Sequence, residues 1–169
     1  TVNFLGNVVD GEIIKYANVD IEVMKKAAIK SIKNNEAVWF GCDVGKMFHR
    51  TLGVMDMDLY DYESIFETNF QMDKSKRLEY GDSLMTHAML FTGVDLKDGK
   101  SIKWRVENSW GTKGGNKGYY LMTDSWFNEY NYEVVVDKKY LPEKIVKIFS
   151  KKPIGLDPWD PMGSLAKKI

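Results

Sequence analysis

The stretch "DIEVMKKAAIKSIKNN", residues 20–35, sets Ile21, Met24, Ala28 and Ile32 at helical spacing with lysines on the opposite side. That period predicts an amphipathic helix, and Asp20 is in position to cap it. "AVWFGC", residues 37–42, is a short apolar run of the kind that forms a buried strand. Residues 45–80 have no clear period; their aromatics Phe48, Tyr60, Tyr62, Phe66 and Phe70 fit one or two short helices in an irregular stretch. After that the pattern changes. "THAMLFTGVDL" and "SIKWRVENSW" are strand-like and flank "KDGK", whose Asp-Gly pair predicts a hairpin turn. "KGYYLMTD" and "NYEVVVDKK" add two more candidate strands, so a small antiparallel sheet is expected. "PEKIVKIFS" predicts a helical turn or two, with Pro142 at its first position. The tail, rich in proline, predicts an extended arm laid over the surface.

This order of elements predicts an α+β fold in one unit. Three segments are expected: a helix-containing one with a single buried strand over 1–82, an antiparallel sheet lobe over 83–149, and an extended C-terminal arm over 150–169. With 169 residues, the chain is long enough to bury roughly 70% of the surface its unfolded form exposes.

Charge removes several functions. Lys plus Arg equals Asp plus Glu at 24 each, so the chain has no overall footprint for nucleic acid, and none is expected as a partner. The Lys pairs at 151–152 and 167–168 fit a solvated tail. No apolar run reaches the roughly 18 residues needed to cross a bilayer, so no membrane partner is expected. One cysteine and nine methionines fit a reducing compartment, so a cytoplasmic location is expected. The first residues, "TVNFLGN", lack a Met, a basic leader and an apolar signal core, as expected of a processed chain or an excised piece alike.

The candidate chemistry lies at the ends of the predicted hairpin. His87 opens one strand and Asn108 closes the next, so antiparallel pairing brings an imidazole and a carboxamide to one edge of the sheet. Cysteine nucleophiles use such a pair. The His takes the thiol proton, and the amide oxygen accepts the other ring N–H and fixes the tautomer. Trp110, two residues beyond, can cover the contact and exclude water. A His at a strand start also commonly serves structure, and "NSWG" can be a plain turn, so spacing alone leaves both readings open. Cys42 closes a strand-like run with no helix N-terminus to lower its pKa and reads as structural, while His49 in "GKMFHR" reads as a loop residue. Two histidines without close Cys or carboxylate spacing predict no metal site.

"THAMLFTGVD" followed by "WRVENSWGTKGGNKGYYLMTDSWFNEYNYEVVVDKKYLP" resembles the carboxy-terminal part of the papain-like cysteine peptidases. "VWFGCDVGK", "GDSLMTHAM" and "DPWDPMGSLA" further resemble the bleomycin hydrolase (aminopeptidase C) branch. The resemblance implies a catalytic role for His87, an orienting role for Asn108 and a shielding role for Trp110, with Met85, Thr86 and Ala88 lining the cleft. The family's nucleophilic Cys, at the N-terminus of a long helix, and the Gln upstream of it have no counterpart in this sequence. Cys42 also precedes His87 by far less than the roughly 130–150 residues typical of papain-like enzymes. The resemblance further implies an arm that enters the cleft and gates it near Leu165 and Ala166, although the chain runs on from "GSLA" to "KKI".

Taken together, the resemblance implies a cysteine aminopeptidase that removes N-terminal residues from peptides through a thioester acyl-enzyme and needs no cofactor. Its implied partners are peptides with a free N-terminus, the Cys-bearing N-terminal part of the same protein, and further copies in a homohexamer. This chain alone is expected to be inactive. The alternative is a non-catalytic fragment of the same fold that binds peptides or subunits.

Overall fold

The computed structural model describes residues 1–6 and 8–167. Helix α1 spans Ile21–Lys33 and buries Ala28, as its period predicts, together with Ala27 beside it. Two details differ from expectation. Asp20 takes the N-cap position with extended backbone, but its side chain makes no capping bond; its carbonyl instead accepts from Val23 and Met24. Lys25 is not solvated with the other lysines. It is 4% exposed, and its ammonium donates to Asp124 Oδ2 at 2.6 Å. A partner far along the chain, invisible to local period, draws it inward.

The strands are β1 (Val38–Cys42), β2 (Phe48–His49), β3 (Val54–Met55), β4 (His87–Lys97), β5 (Lys100–Glu107), β6 (Tyr119–Thr123) and β7 (Asn131–Val135). Those described form a single sheet in the order β2-β3-β6-β5-β4-β1-β7. The β3–β6 pair is parallel and the other pairs antiparallel. Strands from before residue 82 therefore share one sheet with those after it. His49 lies in β2 rather than in a loop, and its Nδ1 accepts the Leu52 N–H at 3.2 Å.

The hairpin turn is where the Asp-Gly pair predicts it. Asp98 and Gly99 both have positive φ, 50° and 77°, the conformation a two-residue turn needs to follow the strand twist. On one face of the sheet, Phe40 stacks on Phe91 with ring centroids 3.8 Å apart, and Trp104 and Phe127 continue the aromatic core. Short helices α2 (Tyr62–Phe66) and α3 (Lys74–Glu79) occupy the irregular stretch.

Helix α4 (Asp124–Tyr130) has no counterpart in the sequence reading. Thr123 caps it by accepting the Trp126 N–H, and Trp126 and Phe127 are fully buried. Helix α5 (Glu143–Val146) follows, with Pro142 just outside it at the N-cap rather than within its first turn.

The C-terminal arm pairs with the N-terminus. Val2 bridges Leu156, and the Asn3 N–H donates to the Leu156 carbonyl at 2.9 Å. Farther on the arm folds back on itself, with the Leu165 N–H donating to the Pro158 carbonyl at 3.1 Å. It borders a depression of about 470 Å³ shared with Leu78, Gly81 and Leu84. Lys168 and Ile169 lie outside the described residues.

Candidate active site

The β4–β5 hairpin brings the first residue of β4 and the residue just after β5 into contact. His87 Nε2 is 2.9 Å from Asn108 Oδ1. An amide oxygen only accepts, so Nε2 carries the proton and donates, which leaves the lone pair on Nδ1. This is the tautomer a general base needs if it is to work through Nδ1. Asn108 is 8% exposed, and its backbone N–H donates to the Gly118 carbonyl.

Trp110 packs against the His87 ring. Its ring centroid is 4.7 Å from that of His87 at an interplanar angle of 33°, and Phe48 packs against it at 6.3 Å. The glycines of "WGTKGGNKG" let its loop turn back. Gly111 and Gly118 have φ of 74° and 90°, which other residues rarely adopt. Gly115 meets the β2–β3 turn so closely that a Cβ on Gly53 would sit 2.5 Å from the Gly115 Cα. The Gly115 N–H donates to the Arg50 carbonyl at 3.2 Å, so this turn supports the loop that carries the indole.

The other expected cleft residues are next to His87. Thr86 is exposed, while Met85 and Ala88 are half-buried. Ala88 pairs with Gly41 across the β1–β4 ladder, and the Met85 sulfur fills the space a side chain on Gly41 would take. Leu165 is exposed and Ala166 half-buried, both in the turn at the end of the arm.

Cys42 is opposite His87 in the β1–β4 register and fully buried. Burial, with Asp43 adding to it, pushes its thiol well above the ordinary range. A nucleophile needs the reverse.

Sequence reasoning missed two groups beside this site. Asp43 is fully buried and accepts the hydroxyls of Ser83 at 2.9 Å and Thr86 at 3.2 Å, so it fixes the approach to His87. A carboxylate straight after an apolar strand was the available signal. Glu133, on β7 across from Gly41, is 7% exposed. Burial raises its carboxyl pKa, against the opposing effect of a hydrogen bond with Tyr16. The phenol of Tyr16 is itself pushed up to about 12, first by burial and then by Glu133. Among the described residues, no group of three or more His, Cys, Asp or Glu is set to hold a metal ion. Nor is any helix there long and apolar enough to cross a membrane.

Residues 1–163 match the Peptidase C1-like family. The chain is 55% identical over 171 residues to bleomycin hydrolase of Gallus gallus, covering 99% of this chain and 38% of that protein. It is 50% identical over 166 residues to aminopeptidase C of Listeria monocytogenes, covering 98% of this chain and 38% of that protein. Among solved structures, PepW from Lactobacillus rhamnosis superposes with a TM-score of 0.92 at 52% identity, over 97% of this chain and 37% of that one. The chain thus spans well under half the length of the relatives it matches.

Proposed function

The chain belongs to the Peptidase C1-like family, and on that premise we propose that it supplies the His–Asn half of a cysteine aminopeptidase. The observation that carries this reading is the 2.9 Å contact between His87 Nε2 and Asn108 Oδ1, together with the free Nδ1 lone pair it implies. The nucleophile is a cysteine in another part of the longer protein, because Cys42 is buried with a raised pKa.

His87 Nδ1 removes the thiol proton, and the thiolate attacks the carbonyl carbon of the first peptide bond. As the C–N bond breaks, the imidazolium returns the proton to the leaving amine, and a thioester remains. Water then attacks the thioester with Nδ1 as base, releasing the residue and restoring the thiol. Asn108 holds the imidazole in one tautomer and plane throughout, and Trp110 keeps bulk water from their hydrogen bond.

The substrates are peptides with a free N-terminus. Selectivity for the free amine comes from the C-terminal arm, gated near Leu165 and Ala166. The intact protein works in the cytoplasm as a homohexamer. Support for the narrower reading comes from relatives named bleomycin hydrolase and aminopeptidase C, matched over nearly the whole of this chain.

The test uses the full-length protein with a fluorogenic aminoacyl amide and its N-blocked twin. Cleavage of the free-amine substrate alone, falling by about 10²–10⁴-fold with His87→Ala, is the expected result. Activity that survives His87→Ala, or equal cleavage of the blocked twin, overturns the proposal.

A further inference from the structure

The turn between β2 and β3 does more than support the Gly-rich loop. Arg50 lies in that turn with its guanidinium carbon 4.8 Å from the Trp110 ring centroid. The turn is itself fixed: the Leu52 N–H donates to His49 Nδ1 at 3.2 Å and the Gly53 N–H to the His49 carbonyl at 2.9 Å. Arg50 therefore reaches the 109–118 loop at two points, by its carbonyl to Gly115 and by its side chain to the indole.

Trp110 needs such a hold. It is 36% exposed, and its aromatic neighbours His87 and Phe48 contact it without hydrogen bonds that would fix its orientation. An indole at a rim can swing on its χ angles unless something restrains it. A cation over the ring is attracted by the negative π face, and a planar guanidinium adds stacking that a compact ammonium lacks.

We propose that Arg50 is a positioning residue of the peptidase reaction: its guanidinium clamps Trp110 over the His87–Asn108 hydrogen bond and so keeps that bond dry during turnover. The inference rests on the reading of His87 and Asn108 under Proposed function. It assigns Arg50 no contact with substrate. Its effect passes through the indole, and it belongs to catalysis rather than binding, because the pair it protects must hold an imidazolium in place only while bonds change.

The experiment compares the full-length enzyme with Arg50→Gln and Arg50→Lys, each with and without Trp110→Phe. Every variant keeps the Arg50 main-chain contact to Gly115, so only the head group changes. Acrylamide quenching of the fluorescence that Trp110→Phe removes reports how open the indole is. Arg50→Gln is expected to raise that quenching and to lower kcat about threefold to fivefold, with KM and thermal midpoint unchanged. Arg50→Lys should recover part of both losses, and with Trp110→Phe in place Arg50→Gln should cost nothing further. Unchanged quenching and kcat in Arg50→Gln overturn the clamp. So does a fall in kcat that persists in the Trp110→Phe background or comes with a lowered thermal midpoint. If the parent enzyme shows no His87-dependent cleavage, the reading of the active site fails, and quenching alone still decides whether Arg50 holds the indole.

Discussion

Cys42 and His87 are paired directly across the β1–β4 ladder, yet the thiol belongs to the core and the imidazole to the half-buried start of an inner strand. Proximity in register is not proximity in chemistry here. One side chain belongs to the buried cluster that also holds Phe40, Met89 and Phe91, and the other is held by Asn108.

The Cys42 thiol should therefore be inert. Its pKa is pushed up by burial, so little thiolate exists at any ordinary pH, and its side chain is fully buried. With the folded chain at pH 8, a thiol-disulfide reagent should modify Cys42 only after denaturant is added. Rapid reaction of the native protein at Cys42 would contradict the packing described.

Asn108→Ala removes the acceptor for His87 Nε2–H and frees the ring to rotate. We expect kcat of the full-length enzyme to fall by about 10²-fold with little change in KM. Steady-state kinetics on the aminoacyl amide check this, and a change confined to KM would move Asn108 from orientation to binding.

Glu133 gives a pH signature. Its folded pKa is raised from the ordinary 4.5 by burial. A raised folded pKa means that its contribution to stability is full below the unfolded value and is lost as pH rises through the folded one. Glu133→Gln stays neutral throughout, so its stability should match the parent near pH 4 and exceed it at neutral pH. Thermal midpoints of both proteins across that range test the sign, and a variant less stable at pH 7 would reverse it.

Gly53 adopts φ of 73° against the Gly115 backbone. Gly53→Ala forces an unfavourable left-handed conformation and a clash at once, so a loss of about 2 kcal/mol is expected in urea denaturation. Peptidase activity should fall too, since the loop that bears Trp110 is displaced. Stability equal to the parent would show that the turn and the loop can separate without cost.

The hairpin was legible because everything that makes it is local. The Asp98–Gly99 turn fixes the register, and register then brings His87 and Asn108 together. Helix α1 was legible for the same reason, from its period. What sequence reasoning missed depends on distant partners. Lys25 looks like surface until Asp124 is found beside it. Helix α4, only seven residues long, sits between two strand-like runs and is held by the burial of Trp126 and Phe127 rather than by its own propensity. The parallel pairing of β3 with β6 involves two residues of β3, too few to leave a pattern. The hold of Arg50 on Trp110 crosses from the first half of the chain to the second, and no spacing encodes it.

The route of the chain between β1 and β4 has a mechanical consequence. These strands are neighbours, but the chain leaves β1, crosses to the far edge to form β2 and β3, and returns to β4, where the Thr86 N–H closes the circuit on the Cys42 carbonyl at 2.9 Å. One covalent tether thus ties the far rim of the sheet to its middle. Peeling the rim strands would loosen the ground beneath the imidazole, so hydrogen exchange in β2, β3 and the start of β4 should report a single cooperative opening.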